Sequence, residues 1–220
     1  MAMIEWDKTG ERNYHLGVDR VVLFPQAKDG TYPKGVAWNG VTGVSAKSEG
    51  GDPQDLWADN IKYGSILSAE KFGYEIKAYQ SPEEFDACDG CAEAIPGVVL
   101  GQQKRQPFGF SWRSLVGNDT ATEEDDSYIL HLVWNSTAQP SDKDYETVND
   151  SPDAMEMSWD CDTTPVAVTG YKPVAHMEIR SKKVDSTKLK KLEETLYGSA
   201  SSEAKLPTPD EVLALLKAAE

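Results

Sequence analysis

Apolar residues recur at every second position through much of this chain. Phe72, Tyr74, Ile76 and Ala78 alternate with Gly73, Glu75, Lys77 and Tyr79. That two-residue period marks a strand with one buried and one wetter face. The same alternation sets Phe108, Phe110 and Trp112 against Gly109, Ser111 and Arg113, and Met155, Met157, Trp159 and Cys161 against Glu156, Ser158, Asp160 and Asp162. In Ser127–Ala138 apolar residues occupy both parities, so both faces of this strand are expected to be covered. A β-branched run at Val18–Gln26 is stopped by Pro25 and by the Asp29-Gly30 turn signal. Two long strand patterns, Gly35–Lys47 and Ile61–Tyr79, flank what reads as an open loop, SEGGDPQDLWADN. A brief strand is expected at Val98–Gln103, and a final pair at Val166–Thr169 and Tyr171–Arg180 joined at Thr169-Gly170.

Three segments carry helix signals instead. Ser81-Pro82-Glu83-Glu84 has a capping residue, a proline and first-turn acids, predicting a short helix that ends near Asp89-Gly90. Asp185–Tyr197 stripes Leu189, Leu192 and Leu196 along one face, with Asp185 as N-cap and Gly198 as terminator. Thr208-Pro209-Asp210-Glu211 is a capping box ahead of Val212, Leu213, Leu215 and Leu216. The sum is about eight to ten strands, which predicts a mainly β protein: an antiparallel β-sandwich or barrel with a short central helix and two C-terminal helices. Residues 1–17 read as an N-terminal arm that docks through Trp6 and Tyr14, 18–198 as the β domain with its long loop at about 43–60, and 199–220 as a linker and last helix.

Composition narrows the function. The 220 residues carry a formal net charge of −15, from 37 acidic and 22 basic side chains. That balance disfavours a surface built to grip nucleic acid, because such affinity comes from Lys and Arg neutralising phosphates. No run approaches the ~18 apolar residues of a membrane span, and the N-terminus lacks the apolar core of a signal peptide, so synthesis in a cytoplasm without membrane insertion is expected. Three sparse cysteines argue against a disulfide scaffold.

Chemistry is hard to find. Cys88-Asp-Gly-Cys91 is half a zinc site, and Cys161, His176, His131 and His15 lie on separate segments. Asp86, Asp89 and Glu93 would raise, not lower, a nearby thiol pKa, against redox use. No nucleophile elbow or phosphate loop occurs, and neither Asn118–Asp126 nor Asp142–Asp153 has calcium-loop spacing. His131 reads as a packed or interface histidine. No catalytic, cofactor or metal residue is therefore expected. Leu56 and Trp57 are the exception to this bland picture, since a polar loop rarely carries such residues near its middle. Trp57 either folds back into its own core or anchors an interface.

The long strand–loop–strand stretch strongly resembles the major tail protein of long-tailed, siphovirus-type bacteriophages, the tail-tube subunit. The resemblance rests on A-W-N-G, L-W-A-D-N-I-K-Y, S-A-E-x-F-G and A-Y-x-S-P-E-E-F, followed in order by I-P-G-V-V-L-G-Q-Q, F-G-x-S-W-R, G-N-D, Y-x-L-H-L-V, N-D-S-P, T-T-P-V and L-P-x-P-D-E-V-L-A-L-L. It runs from Val18 to Leu216, and its specificity lies in the number and order of the pieces. The Cys88/Cys91 pair is not part of it. The resemblance implies β-sandwich subunits in hexameric rings, with inner sheets joined into one barrel and a long loop reaching the next ring. It further implies a baseplate initiator, a length-setting tape-measure protein inside the tube and a tail terminator as partners, with location in the virion tail. Asp52, Asp55, Leu56, Trp57 and Asp59 are then the expected inter-ring contacts. Glu70, Glu75 and Lys77 are the expected lumen lining, an acidic surface past which DNA moves without specific binding. The alternatives are a carbohydrate-binding sandwich with Trp38 and Trp57 as sugar platforms, and a hydrolase using the acidic clusters.

Overall fold

Ser127–Ala138, apolar on both faces, is the strand on which the two cores of the molecule meet. The computed structural model describes residues 3–120, 127–141, 143–145, 147 and 154–217. Within them the chain forms β1 (Asn13–Pro25), β2 (Val36–Ala37), β3 (Val41–Glu49), β4 (Pro53–Ala58), β5 (Ile61–Leu67) and β6 (Lys71–Ala78). Then come β7 (Ala92–Ile95), β8 (Val98–Leu100), β9 (Phe108–Asn118), β10 (Ser127–Ala138), β11 (Met157–Thr163), β12 (His176–Arg180), α1 (Ser186–Tyr197) and α2 (Pro209–Lys217). The mainly β, antiparallel, sandwich-like expectation holds, with both C-terminal helices in place.

The main sheet runs β2-β1-β9-β10-β11-β6-β3, with β12 also paired to β10. One edge of β10 serves two partners: Ile129–Val133 face β12, and Ser136–Ala138 face β11. The changeover falls at Asn135, which adopts φ 51° at a register break against β9. A bulge there lets the sheet turn a corner, and Asn tolerates the left-handed conformation it needs. The two faces then diverge. Phe108, Phe110 and Trp112 of β9 pack with Tyr74 and Ile76 of β6 and Trp159 of β11 in one core. Leu130, Leu132 and Trp134 of β10 pack with Leu192, Leu196 and Val212 of the helices in the other. The central β1-β9-β10 layer is therefore covered by strands on one side and by helices on the other, which is why Ser127–Ala138 shows no polar face.

Capping accounts for the helices as expected. The Asp185 carboxylate accepts from the Thr187 and Lys188 backbone N–H groups at 2.9 and 3.1 Å, and Gly198 ends α1 at φ 81°. Thr208 and Glu211 bond reciprocally across the first turn of α2.

Several boundaries differ from the sequence reading. The open loop at 48–60 is mostly strand: β4 pairs with β5 in a separate two-stranded ribbon. Its turn, Asp59-Asn60, has φ 50° and 64°, the double left-handed geometry of a tight hairpin. The single strand expected over Ile61–Tyr79 thus divides into β5 in the ribbon and β6 in the main sheet. Gly35–Lys47 is likewise cut at Gly40 (φ 79°), where Trp38 drops into the core. The short central helix is only one 3-10 turn, Glu83–Phe85, with i→i+3 bonds from Phe85 to Pro82 and Asp86 to Glu83. Pro82 is extended and Ser81 caps nothing; burial of Phe85 and Cys88 in the first core decides the path instead. β7 lies outside the expected strands, the pairing of Val166–Thr169 with Tyr171–Arg180 is reduced to one bridge between Val166 and Val174 while the second half of Tyr171–Arg180 forms β12 and pairs with β10, and β1 begins at Asn13, inside the expected arm. Trp6 stands exposed and does not dock. No described helix is long and apolar enough to cross a membrane.

Candidate assembly surfaces

The β4–β5 ribbon leaves the main sheet through Gly50 and Gly51, both at positive φ. Any side chain at position 50 would collide with the Ala69 carbonyl, its Cβ lying 2.3 Å from that oxygen. The ribbon base is closed by reciprocal bonds between Asp52 and Ser68. Beyond it, no ribbon residue joins either core. Trp57 is 68% exposed and Tyr63 77%, and Leu56, Ile61, Ile66 and Leu67 are exposed with them. Pairing of Gln54 with Ile66 and of Pro53 with Leu67 distributes these side chains over both faces. The fold therefore does not adopt self-burial of Trp57. A ribbon with two uncovered apolar faces is marginal alone in water, and contiguous exposed apolar surface of this kind marks interaction sites.

The expected contact residues take different parts. Leu56 and Trp57 present apolar surface. Asp55 is occupied within the chain, bonded by Lys62 at 2.6 Å and by the Ser65 hydroxyl at 3.0 Å. Asp59 forms the turn, and Asp52 the base. Sequence reasoning misses Ile61, Tyr63, Ile66 and Leu67 because the pattern over Ile61–Tyr79 reads as one sheet strand; the Asp59-Asn60 pair between two runs is the available hairpin signal. A second exposed ribbon, β7–β8, carries Ile95, Val98, Val99 and Leu100.

The main sheet also ends in open edges. β2 covers β1 only at Val22 and Leu23, so that among the described residues no other strand pairs with the outer edge of Asn13–Asp19. β3 is terminal, and its Ser45–Glu49 half is exposed. Unprotected edges of this length template pairing with another chain.

Glu75 and Lys77 lie on the face of β6 opposite the core, next to Ser158 and Asp160 of β11. The face is mixed in sign. Lys47 sits 3.3 Å from Glu75 and 2.5 Å from Asp160, and the hydrogen bond to Asp160 raises its pKa. Glu70 lies outside β6, in the connection from the ribbon, so it does not extend this row. Asp160 and Asp162, on β11, contribute acids to the face that the sequence reading had not singled out for the role.

Trp38, one of the two expected sugar platforms, is 3% exposed and donates its indole N–H to the Gln80 carbonyl at 2.8 Å. It is a core residue. Cys88 is buried and Cys91 half-buried, and both are free thiols. Residues 121–126 and most of the second acidic cluster, with the N-D-S-P motif, lie outside the described residues. His131 and His176, distant in sequence, are brought side by side across β10 and β12.

No protein-family model matches the chain, and no curated protein is significantly similar to it.

Proposed function

We propose that this protein is the tube-forming subunit of a long-tailed bacteriophage tail, assembling into hexameric rings that stack into a conduit for the viral genome. The observation that carries the reading is the β4–β5 ribbon, which holds Leu56, Trp57, Ile61, Tyr63, Ile66 and Leu67 out in solvent. Burying them needs another copy or partner, and a projecting arm suits contact with the next ring. Open edges at β1 and β3 fit side-by-side closure, since joining edges around a ring removes them. Stacking is head-to-tail, a contact that propagates into a filament.

In this reading the subunits line the tube with the polar face of β3, β6 and β11, where the acids Glu75, Asp160 and Asp162 outnumber Lys47 and Lys77. Repulsion of DNA phosphates acts within a Debye length of ~8 Å at physiological salt. A baseplate initiator, a tape-measure protein and a terminator are the expected partners, and the virion tail the location.

The test is electron microscopy and sedimentation of concentrated wild-type protein beside Trp57→Ala. Hollow tubes or stacked rings for wild type, and folded subunits without tubes for the variant, are expected. Tubes undiminished by Trp57→Ala, or a persistent wild-type monomer that binds glycans, would overturn the proposal.

A further inference from the structure

The three histidines of the chain lie on three strands, and two of them meet. His131 Nδ1 is 3.1 Å from His176 Nε2, with the two imidazole planes 5° apart. Glu178 stands opposite His131 in the β10–β12 register, its Oε1 4.0 Å from His131 Nδ1. One ligand atom from each of His131, His176 and Glu178 falls within 4.8 Å of the others. We propose that these three side chains form a site for a borderline first-row transition metal ion, Zn2+ being the reference case.

The donor set suits that chemistry. Two imidazoles and one carboxylate are a common three-ligand set for zinc and leave a further coordination position open. Tetrahedral bonds of ~2.0–2.1 Å place neighbouring nitrogens a little over 3 Å apart, close to the spacing already present between the two rings. The Glu178 side chain is 45% exposed, so it can swing the remaining ångström inward and the ion can enter from solvent.

The rings are held ready. His131 stacks on Trp112 at 4.7 Å and 5°, and His176 on Phe72 at 4.5 Å and 8°. Burial lowers the pKa of both imidazoles, so both are neutral at pH 7 and can offer lone pairs. Ser114 Oγ lies 2.9 Å from His131 Nε2. When Nε2–H donates to that hydroxyl, Nδ1 is the unprotonated nitrogen facing the ion, an orienting contact typical of metal-bound histidine. In the metal-free pair, the His176 Nε2 proton then bridges to His131 Nδ1. Binding replaces that proton with the ion, and His176 carries its proton on Nδ1 instead. The strongly negative chain raises the local concentration of cations around the site.

None of the three ligands lies on the ribbons or on the β1 and β3 edges, so metal binding can be read apart from assembly. The 220-residue protein, freed of metal by chelator and dialysis, is titrated with Zn2+ calorimetrically, and with Co2+ by visible absorption. One equivalent is expected to bind, with Co2+ bands lacking thiolate charge transfer. Glu178→Gln is expected to weaken binding by at least ~10-fold, while Glu84→Gln and Cys91→Ser leave it unchanged. Failure to bind one equivalent, binding unaffected by Glu178→Gln, or binding lost in Cys91→Ser would each overturn the assignment. Glu178→Gln is close in shape and half in solvent, so circular dichroism can verify that the variant folds before its affinity is read.

Discussion

The Arg113 guanidinium holds the Asp19 carboxylate by two parallel hydrogen bonds, Nε to Oδ1 at 2.8 Å and Nη2 to Oδ2 at 2.5 Å. The pair joins neighbouring strands β9 and β1 beneath α1, where Glu193 lies 3.9 Å from Nη1 and the Tyr128 ring lies 4.4 Å under the guanidinium carbon. Tyr128 in turn donates its hydroxyl to Glu193 at 2.7 Å. One cation thus organises two acids and an aromatic ring at the seam between the central sheet and the helix layer.

Arg113→Met removes that cation and leaves Glu193, which is mostly buried, without its charge partner. A loss of about 3 kcal/mol is expected, at the lower end for a broken buried pair because Asp19 can rehydrate. Arg113→Lys should recover only part of it, since an ammonium cannot reproduce the two-pronged geometry. Urea unfolding would show this as a fall in midpoint with unchanged slope; a midpoint shift under a few tenths of a molar would mean the network carries little.

Acid should weaken the fold through the histidine pair. His131 has its pKa lowered from 6.5 to about 4, first by burial, then by His176 and His15. His176 is lowered too, by burial, with Glu178 opposing. At neutral pH the 4.0 Å approach of His131 to Glu178 is therefore not an ion pair. Below pH 6.5 the unfolded chain takes up a proton that the folded His131 refuses until about pH 4. The folded state binds fewer protons across that window, so stability is complete above it and falls as pH drops, by up to ~3 kcal/mol. The difference between wild type and His131→Phe, measured by urea unfolding from pH 7.5 to 4.5, isolates this contribution from the many carboxylates. A constant difference across the range would contradict the assignment.

The three thiols should differ sharply in reactivity. Burial and the Asp89 charge push Cys88 up to about 12, and burial pushes Cys161 up further still. Cys91 is the half-buried member. Since the thiolate is the reacting species, a disulfide reagent at pH 8 should titrate one thiol in the native protein and all three after denaturation. Cys91→Ser should abolish the native reaction, and a fast second thiol would show that the 3-10 segment opens.

The ribbon should be dispensable for folding. Replacing residues 53–67 by a short Gly-rich link removes none of the core residues, and the closure entropy changes little. Stability should shift by less than ~1 kcal/mol, while assembly is lost. Thermal unfolding of the two proteins makes the comparison, and a collapse in midpoint would show that the ribbon supports its own sheet.

Local chemistry was readable wherever neighbouring residues supply the cause. The Asp185 cap, the Thr208–Glu211 capping box, the Gly198 terminator and the two-sided burial of Ser127–Ala138 all follow from spacings of a few residues, and all appear in the structure. Tertiary structure decided the rest. Period-two patterning tells which residues can line a strand but not which sheet the strand joins, so Ile61–Tyr79 reads as one piece although its two halves pair in different sheets and part where Gly50 packs against the Ala69 carbonyl. A short helix signal at Ser81 yielded to the burial of Phe85 and Cys88, because a single turn gains too little locally to oppose core packing. The meeting of His131 with His176 is set by strand order, through the pairing of β10 with β12. Residues 45 positions apart acquire a shared chemistry only when a sheet register places their side chains on one face.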